Sequence, residues 1–334
     1  MLTKRIGIDL GTSNIRVYLA GQGIMVNEPC VAALSEDKKI IAMGQEAKEM
    51  FGRTPENITA VHPLIDGVIA NFGVVSALLT YYLSKVLGSY RFFRPDVMVA
   101  IPAGITSTER RAVIDAAMSA GARKAYVIKV PIAAALGVEL PVSLASGSMI
   151  VDCGGGTTEV AVLSLGGIVT SNSIRIGGNE LNEAIANFIR KKYNIIIGEQ
   201  TAEEIKITIG SVLPTEEATM EISGSNSITG LPETIVISSS EVTEALREGI
   251  KDIINAVKNV LSNIPPELAA DVIDKGIVMT GGGSLLRNID ILLSRVIGVP
   301  VHVASEPDLA VVKGTGVALE NLQTYKKSLF WKTK

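Results

Sequence analysis

A repeated turn constrains this chain more than any other feature. The segments Ile6-Gly-Ile-Asp9-Leu-Gly11-Thr12-Ser13-Asn14 and Ile150-Val-Asp152-Cys-Gly154-Gly155-Gly156-Thr157-Thr158 each run as an apolar strand onto an aspartate. A glycine-bearing turn and hydroxyl residues follow, and alternating apolar residues resume. Each reads as a β-hairpin whose turn brings backbone N–H groups forward beside a carboxylate. A third cluster, Gly276-Ile-Val-Met-Thr280-Gly281-Gly282-Gly283-Ser284, also follows a short β-like run and is expected to precede a helix. Repetition implies a duplicated domain, and 334 residues suit two lobes of about 150 residues each. Three such turns facing one cleft suit a nucleotide: backbone N–H groups grip its phosphates from both sides, and two carboxylates organise a hydrated Mg2+.

The segments between the turns read as α/β units. The run Val97–Ile101 stops at Pro102, and Thr106 with Glu109 forms a capping box for a helix reaching Ala120 and Gly121. Ala125–Ile128 reads as the next strand, and Pro131 is a favourable opening residue for a helix through Leu136. From Glu183 to about Glu248 the pattern changes to helical segments, a Gly/Ser/Asn-rich stretch near Ser223–Thr229 and a β-like Thr234–Ser238, as in a small insertion. A long helix, Ser240–Asn263, ends at Pro265-Pro266.

Composition removes several function classes. Lys plus Arg is 31 and Asp plus Glu is 34, a net charge of −3, so nothing draws the chain to nucleic acid. Cys30 and Cys153 are the only cysteines, without a metal-ligand partner nearby, so a zinc site or disulfide framework is not expected and a reducing cytoplasm is. The N-terminus lacks a signal-peptide pattern, and the apolar stretch Pro131–Ile150 is broken by Glu139 and Pro141. Any membrane contact is therefore expected to be peripheral. His62 and His302 stand isolated and read as structural.

The blocks DLGTSN, HPLIDGVIANF, PAGITSTERRAVIDAA, DCGGGTTEVAVLSLGGIV, TAEEIKITIG, PPELAADVIDKGIVMTGGGSLL and KGTGVAL resemble the MreB branch of bacterial actins across nearly the whole chain. The resemblance implies an α/β, actin-like two-domain fold with duplicated ribonuclease-H-like cores, each carrying a small inserted subdomain. Subdomain IA would span residues 1–32, 66–145 and 316–334, and IB residues 33–65. IIA would span residues 146–180 and 246–315, and IIB residues 181–245. ATP or ADP with Mg2+ would lie between the lobes.

By matching motif, Thr12, Ser13 and Asn14 would form the first phosphate loop, and Gly154, Gly155, Gly156 and Thr157 the second. Asp9 and Asp152 would stand behind the metal's waters. Glu203 and Lys206 would lie against the adenosine, with Gly281, Gly282, Gly283, Ser284 and Leu285 under its other side. From the residues alone, the alternative for Glu203 and Lys206 is a surface salt bridge at helical spacing.

The departures concern hydrolysis. The family carries two glutamates before the proline of Val127-Ile-Lys129-Val130-Pro131, the second positioning the attacking water; here those positions are Lys129 and Val130. Valine accepts no hydrogen bond, which leaves Thr157 as the family's one remaining hydrolysis residue and implies slow ATP turnover. Lys129 would be solvated or reach a phosphate. Asn71, Asn179 and Thr208 replace acids of the family pattern.

The resemblance also implies self-association into filaments at the inner face of the cell membrane, alone or with paralogous actins or cell-shape proteins. Phe92 and Phe93, between Arg91 and Arg94, occupy the place of a bilayer-inserting loop, and Tyr325–Lys334 shares their basic-aromatic character. A small-molecule kinase of the same superfold needs an acceptor pocket and a base. A chaperone ATPase needs a peptide-binding domain after the nucleotide fold, and neither feature is legible here.

Overall fold

The structure is a computed structural model describing residues 3–88, 94–214, 216–325 and 329–333. Its two largest sheets repeat one topology. In the first, β1 (Arg5–Leu10), β2 (Asn14–Leu19) and β3 (Gly23–Pro29) form an antiparallel meander. Strands β9 (Asp96–Ile101) and β10 (Lys124–Lys129) add in parallel beyond β1, and β19 (Leu329–Thr333) closes that edge antiparallel to β10. In the second sheet, β11 (Ser148–Cys153), β12 (Thr158–Ser164) and β13 (Gly167–Ile174) repeat the meander. Strands β17 (Ile277–Thr280) and β18 (Val301–Val303) repeat the parallel pair.

Smaller sheets attach to each lobe. Strands β4 (Ala32–Ser35), β5 (Ile40–Met43) and β6 (Ile58–Val61) form one, and β7 (Leu64–Ile65) pairs with β8 (Val68–Ile69). Strands β14 (Ile195–Ile196), β15 (Thr219–Asn226) and β16 (Pro232–Ser238) form another. The Ser/Gly-rich run at Ser223 is thus mostly strand: its paired backbone and a Ser223–Thr234 hydroxyl contact at 2.8 Å stand in for the apolar face it lacks.

Local chemistry set most helix ends. Helices α1 (Gln45–Glu49) and α2 (Phe72–Leu87) lie in the first lobe, and Asn71 caps α2 by accepting from the Val74 N–H at 3.1 Å. This local cap is the role of one asparagine that departs from the family pattern. Helix α3 (Ser107–Ser119) opens on the expected capping box, with Thr106 N–H donating to Glu109 at 2.8 Å. Helix α4 (Val130–Gly137) follows β10 directly, and α5 (Gly178–Tyr193) and α6 (Glu199–Ile209) follow the second meander. The long α7 (Ser239–Ser262), α8 (Pro266–Lys275), α9 (Ile289–Ile297), α10 (Ala310–Glu320) and α11 (Leu322–Tyr325) complete the helices among the described residues.

Each lobe has its own apolar core, and a third lies between them. It joins Met98 and Ile128 of the first sheet to Ile150 and Leu163 of the second through Ile132, Ala133 and Leu136 of α4 and Val311 and Ala318 of α10. The two helices approach so closely that a Cβ on Gly314 would lie 1.7 Å from the Ala133 carbonyl oxygen. One on Gly137 would lie 1.8 Å from that of Ala310. This contact has no room for a side chain. No helix among the described residues is long and apolar enough to cross a membrane. Phe92 and Phe93 lie outside the described residues.

Candidate functional site

The two repeated hairpins turn in the same way. Gly11 N–H donates to the Asn14 carbonyl at 3.0 Å, and Gly154 N–H donates to that of Thr157 at 2.8 Å. The duplication seen in sequence is therefore a duplication of backbone geometry. Docking the lobes sets the turns against each other. A Cβ on Gly155 would lie 2.0 Å from Ser13 Oγ, and one on Gly156 2.7 Å from Thr12 Oγ1, so only glycine fits at both places.

Further bonds hold this meeting point. Ser13 Oγ donates to Asn179 Oδ1 at 2.9 Å, and Gly67 N–H donates to Thr12 Oγ1 at 2.9 Å. The first N–H groups of α5, on Gly178 and Asn179, donate to the carbonyls of Gly154 and Gly155 at 2.9 and 2.8 Å. Asn179 thus has a cross-lobe role, although the sequence offered it only as a missing acid.

The third glycine cluster closes the same space. Gly281 adopts φ +79°, donates its N–H to the Pro307 carbonyl at 2.8 Å and packs against the backbone of Cys153. It continues into a 3-10 turn, Gly282–Leu285, before α9. Together the three turns bound a cavity of about 430 Å³, within the range of small-molecule and cofactor sites. Asp9, Thr12, Ser13, Asn14, Asp152, Gly154, Gly155, Gly156, Thr157, Glu203, Lys206, Gly281, Gly282, Gly283 and Leu285 line it. Ser284 does not: its hydroxyl turns inward to the Gly281 carbonyl at 2.7 Å and braces the turn from behind, because the tight 3-10 geometry points it at the core.

The floor of the cavity is charged. Asp9 and Asp152 are both buried, and burial raises their carboxyls, Asp152 to about 7, against the lowering effects of Arg16 on Asp9 and Thr280 on Asp152. Thr280 Oγ1 donates to Asp152 at 2.8 Å. Arg16, the register partner of Asp9, reaches Asp9 at 3.3 Å and Asp308 at 3.4 Å. Arg16 and Asp308 were missed because nothing local marks either, and the contact joins residues 292 positions apart.

Two buried carboxylates suit a divalent ion that keeps its own water and takes its other oxygens from a ligand's phosphates. Among the described residues no group of three or more His, Cys, Asp or Glu side chains gathers to hold a metal directly, so outer contact through water is the fit these residues offer.

Glu203 and Lys206 do not pair as a surface salt bridge. Glu203 bonds Lys48 of α1 across the cleft at 2.8 Å, and Lys206 Nζ donates to the Gly178 carbonyl at 2.7 Å. Burial lowers the Lys206 ammonium to about 8. Val130 lines the cavity at the start of α4, while Lys129 precedes it and its charge acts on the buried Glu159. Thr208 lends its carbonyl to Arg287 at 2.7 Å. His62 is not isolated: its Nε2 lies 3.3 Å from Glu199 of α6, and its ring packs 4.8 Å from Phe51. This pairing forms only when the lobes meet.

Two three-strand meanders, each extended by a parallel pair and meeting hairpin to hairpin over one cavity, define the actin class of folds. The MreB/Mbl protein family model matches residues 3–327, and the chain belongs to that family. It is 48% identical to the cell shape-determining protein MreB of Escherichia coli (strain K12), covering 99% of this chain and 97% of that protein. It is 45% identical to the cell shape-determining protein Mbl of Bacillus cereus (strain ATCC 10987 / NRS 248), covering 98% and 99%. Among solved structures, MreB5 of Spiroplasma citri bound to ADP superposes with a TM-score of 0.92 at 37% identity, covering 97% of this chain and 98% of that one.

Proposed function

We propose that this chain is an ATP-binding, actin-like cytoskeletal protein that assembles into filaments at the inner face of the cell membrane and supports cell shape or the organisation of wall synthesis or motility. The observation that carries the reading is the contact of the two aspartate-bearing turns, Thr12 and Ser13 against Gly156 and Gly155, over a cavity of nucleotide size. Relatives named for cell shape, and a relative crystallised with ADP and with AMPPNP, support it.

In this reading the N–H groups of the two turns hold the phosphates, with the Thr12, Ser13, Asn14 and Thr157 side chains beside them. Asp9 and Asp152 orient the waters of a bound Mg2+, which supplies charge neutralisation on the phosphates. Glu203 and Lys206 lie against the adenosine, with Gly281, Gly282, Gly283 and Leu285 under its other side. Ser13 and Asn179 already join the lobes beside the turns, and nucleotide held between both turns would favour the closed lobe angle that suits end-to-end contacts between copies. Residues 33–65 and 181–245 form the inserted subdomains; supporting this, the small sheets β4–β6 and β14–β16 fall within or at the edge of those spans.

Hydrolysis is slow in this reading. Val130 presents an apolar side chain where a base is needed, and the cavity-lining carboxylates Asp9, Asp152, Glu203 and Asp308 are already engaged by Arg16, Thr280, Lys48 and Arg16. Thr157 is the remaining hydroxyl for aligning water. Sedimentation and electron microscopy of purified protein with ATP, ADP and no nucleotide test the assembly. ATP-dependent pelleting with visible filaments is the expected result, and a strictly monomeric protein in all three conditions overturns the filament reading.

A further inference from the structure

The two lobes use the same strand register but place opposite charges in it. Opposite Asp152 on β12 stands Glu159, fully buried, accepting from the Ala103 N–H at 3.0 Å and from Ser173 Oγ at 2.6 Å. Opposite Asp9 on β2 stands Arg16, a cation at the floor of the cavity. Both its ion pairs are long, 3.3 Å to Asp9 and 3.4 Å to Asp308, where a tight charge-assisted bond is about 2.7–2.9 Å. Each pairing uses a single N–H···O contact rather than a bidentate fork, and its buried Nε has no hydrogen-bond partner. A guanidinium offers five N–H donors, so this one holds unspent capacity beside the phosphate turns.

The other cations lining the cavity are committed elsewhere. Lys206 donates to the Gly178 carbonyl and Arg287 to that of Thr208. Asp308 lies in the 3-10 turn Pro307–Leu309, whose first residue accepts the Gly281 N–H at 2.8 Å. Through Asp308, Arg16 therefore touches the loop that braces the third glycine turn in the opposite lobe.

We propose that Arg16 is a polyphosphate ligand that carries part of the charge a divalent cation would otherwise carry alone, so that this chain retains nucleotide when the metal is removed. The inference rests on the nucleotide reading of the cavity. Two carboxylates and a polyphosphate repel one another unless a cation lies between them. A guanidinium built into the floor supplies one permanently, and phosphate oxygens complete the donors that Asp9 and Asp308 leave loose.

Calorimetric titration of ATP into the full chain, in Mg2+ and in EDTA, tests this for wild type, Arg16→Leu and Arg16→Lys. Wild type is expected to keep measurable affinity in EDTA. Arg16→Leu is expected to weaken it there by about ten- to a hundredfold, the worth of a charged hydrogen bond, and by distinctly less in Mg2+; Arg16→Lys should restore most of the loss. A merely structural arginine would shift the thermal midpoint and change both affinities alike, without rescue by metal. Equal losses in Mg2+ and EDTA, or no loss in either, overturn the inference while leaving the nucleotide site standing. Wild-type protein that binds no ATP even in Mg2+ overturns the nucleotide reading itself and this inference with it. Should Arg16→Leu fail to fold, Arg16→Lys carries the test alone: with fewer donors it must bind ATP more weakly than wild type in EDTA, and equality there overturns the proposal.

Discussion

Lys48 and Glu203 meet across the cleft: the ammonium of α1 in the first lobe lies 2.8 Å from the carboxylate of α6 in the second, and Gln200 of α6 donates to the Lys48 carbonyl at 2.6 Å. With His62 and Glu199 at 3.3 Å, they form a clasp between the lobes, and Glu203 in it also lines the cavity. Both partners of the lysine pair are partly exposed, so the pair itself is worth about 0.2–1 kcal/mol. Lys48→Ala should therefore barely move the unfolding midpoint yet speed release of a fluorescent ATP analogue by roughly two- to fivefold, since release needs the clasp open. Stopped-flow release at an unchanged rate would remove the clasp from the account of nucleotide exchange.

Val130→Glu should raise ATP turnover. A positioned carboxylate is typically worth 10²–10⁴-fold, about 3–5 kcal/mol of barrier, and Val130 already lines the cavity. Phosphate release at saturating ATP, under conditions where both proteins polymerise equally, is the measurement. No gain, with wild type already fast, would place the base elsewhere.

Lys206 makes a pH prediction. Burial lowers its ammonium from 10.5 to about 8, so between those values the unfolded chain binds more protons than the folded one and stability rises with pH across that window. Below it the full burial penalty applies. Lys206→Met should stabilise the ligand-free protein at pH 7 by about 1–2 kcal/mol, less than the shift implies because the ammonium keeps some water, and should weaken ATP binding. Urea midpoints at about pH 7 and pH 9.5 check the sign, since the advantage of the variant must shrink at the higher pH. An advantage equal at both values would contradict it.

The α4–α10 crossing should tolerate no side chain. Gly314→Ala places a methyl 1.7 Å from the Ala133 carbonyl and should cost about 1–3 kcal/mol or more by overpacking. Gly167→Ala, whose Cβ would meet nothing nearer than the Ser164 carbonyl oxygen at 3.9 Å, should stay within about 0.5 kcal/mol of wild type. Similar chemical denaturation curves for the two variants would show that the helices can part.

Membrane attachment is expected through Phe92 and Phe93. Each buried ring is worth about 1.5–3 kcal/mol, and each neighbouring basic residue about 1 kcal/mol near anionic lipid. The double change Phe92→Ser, Phe93→Ser should abolish co-sedimentation with anionic liposomes. If binding survives, attention passes to β19, where Trp331 is half exposed and Phe330 stacks 4.0 Å under Arg110.

Much of this molecule is decided within a few residues of chain, and that part was legible in the sequence. The hairpins at Asp9 and Asp152 follow from glycine turns between alternating apolar strands, and the cap at Thr106 follows from a threonine with Glu three positions on. Their repetition placed most of the cavity wall. What the sequence left open lies at long separation. The partner of Glu203 is Lys48, 155 positions away, rather than Lys206 three away; His62 finds Glu199, and Arg16 finds Asp308. Ser284 sits in the right turn but faces the core. Backbone propensity and turn chemistry act locally and are written in adjacent residues. Which charges meet depends on how two separately built lobes dock around α4 and α10, a contact packed down to the missing side chains of Gly137 and Gly314, and docking is a property of the packed tertiary structure rather than of adjacent residues.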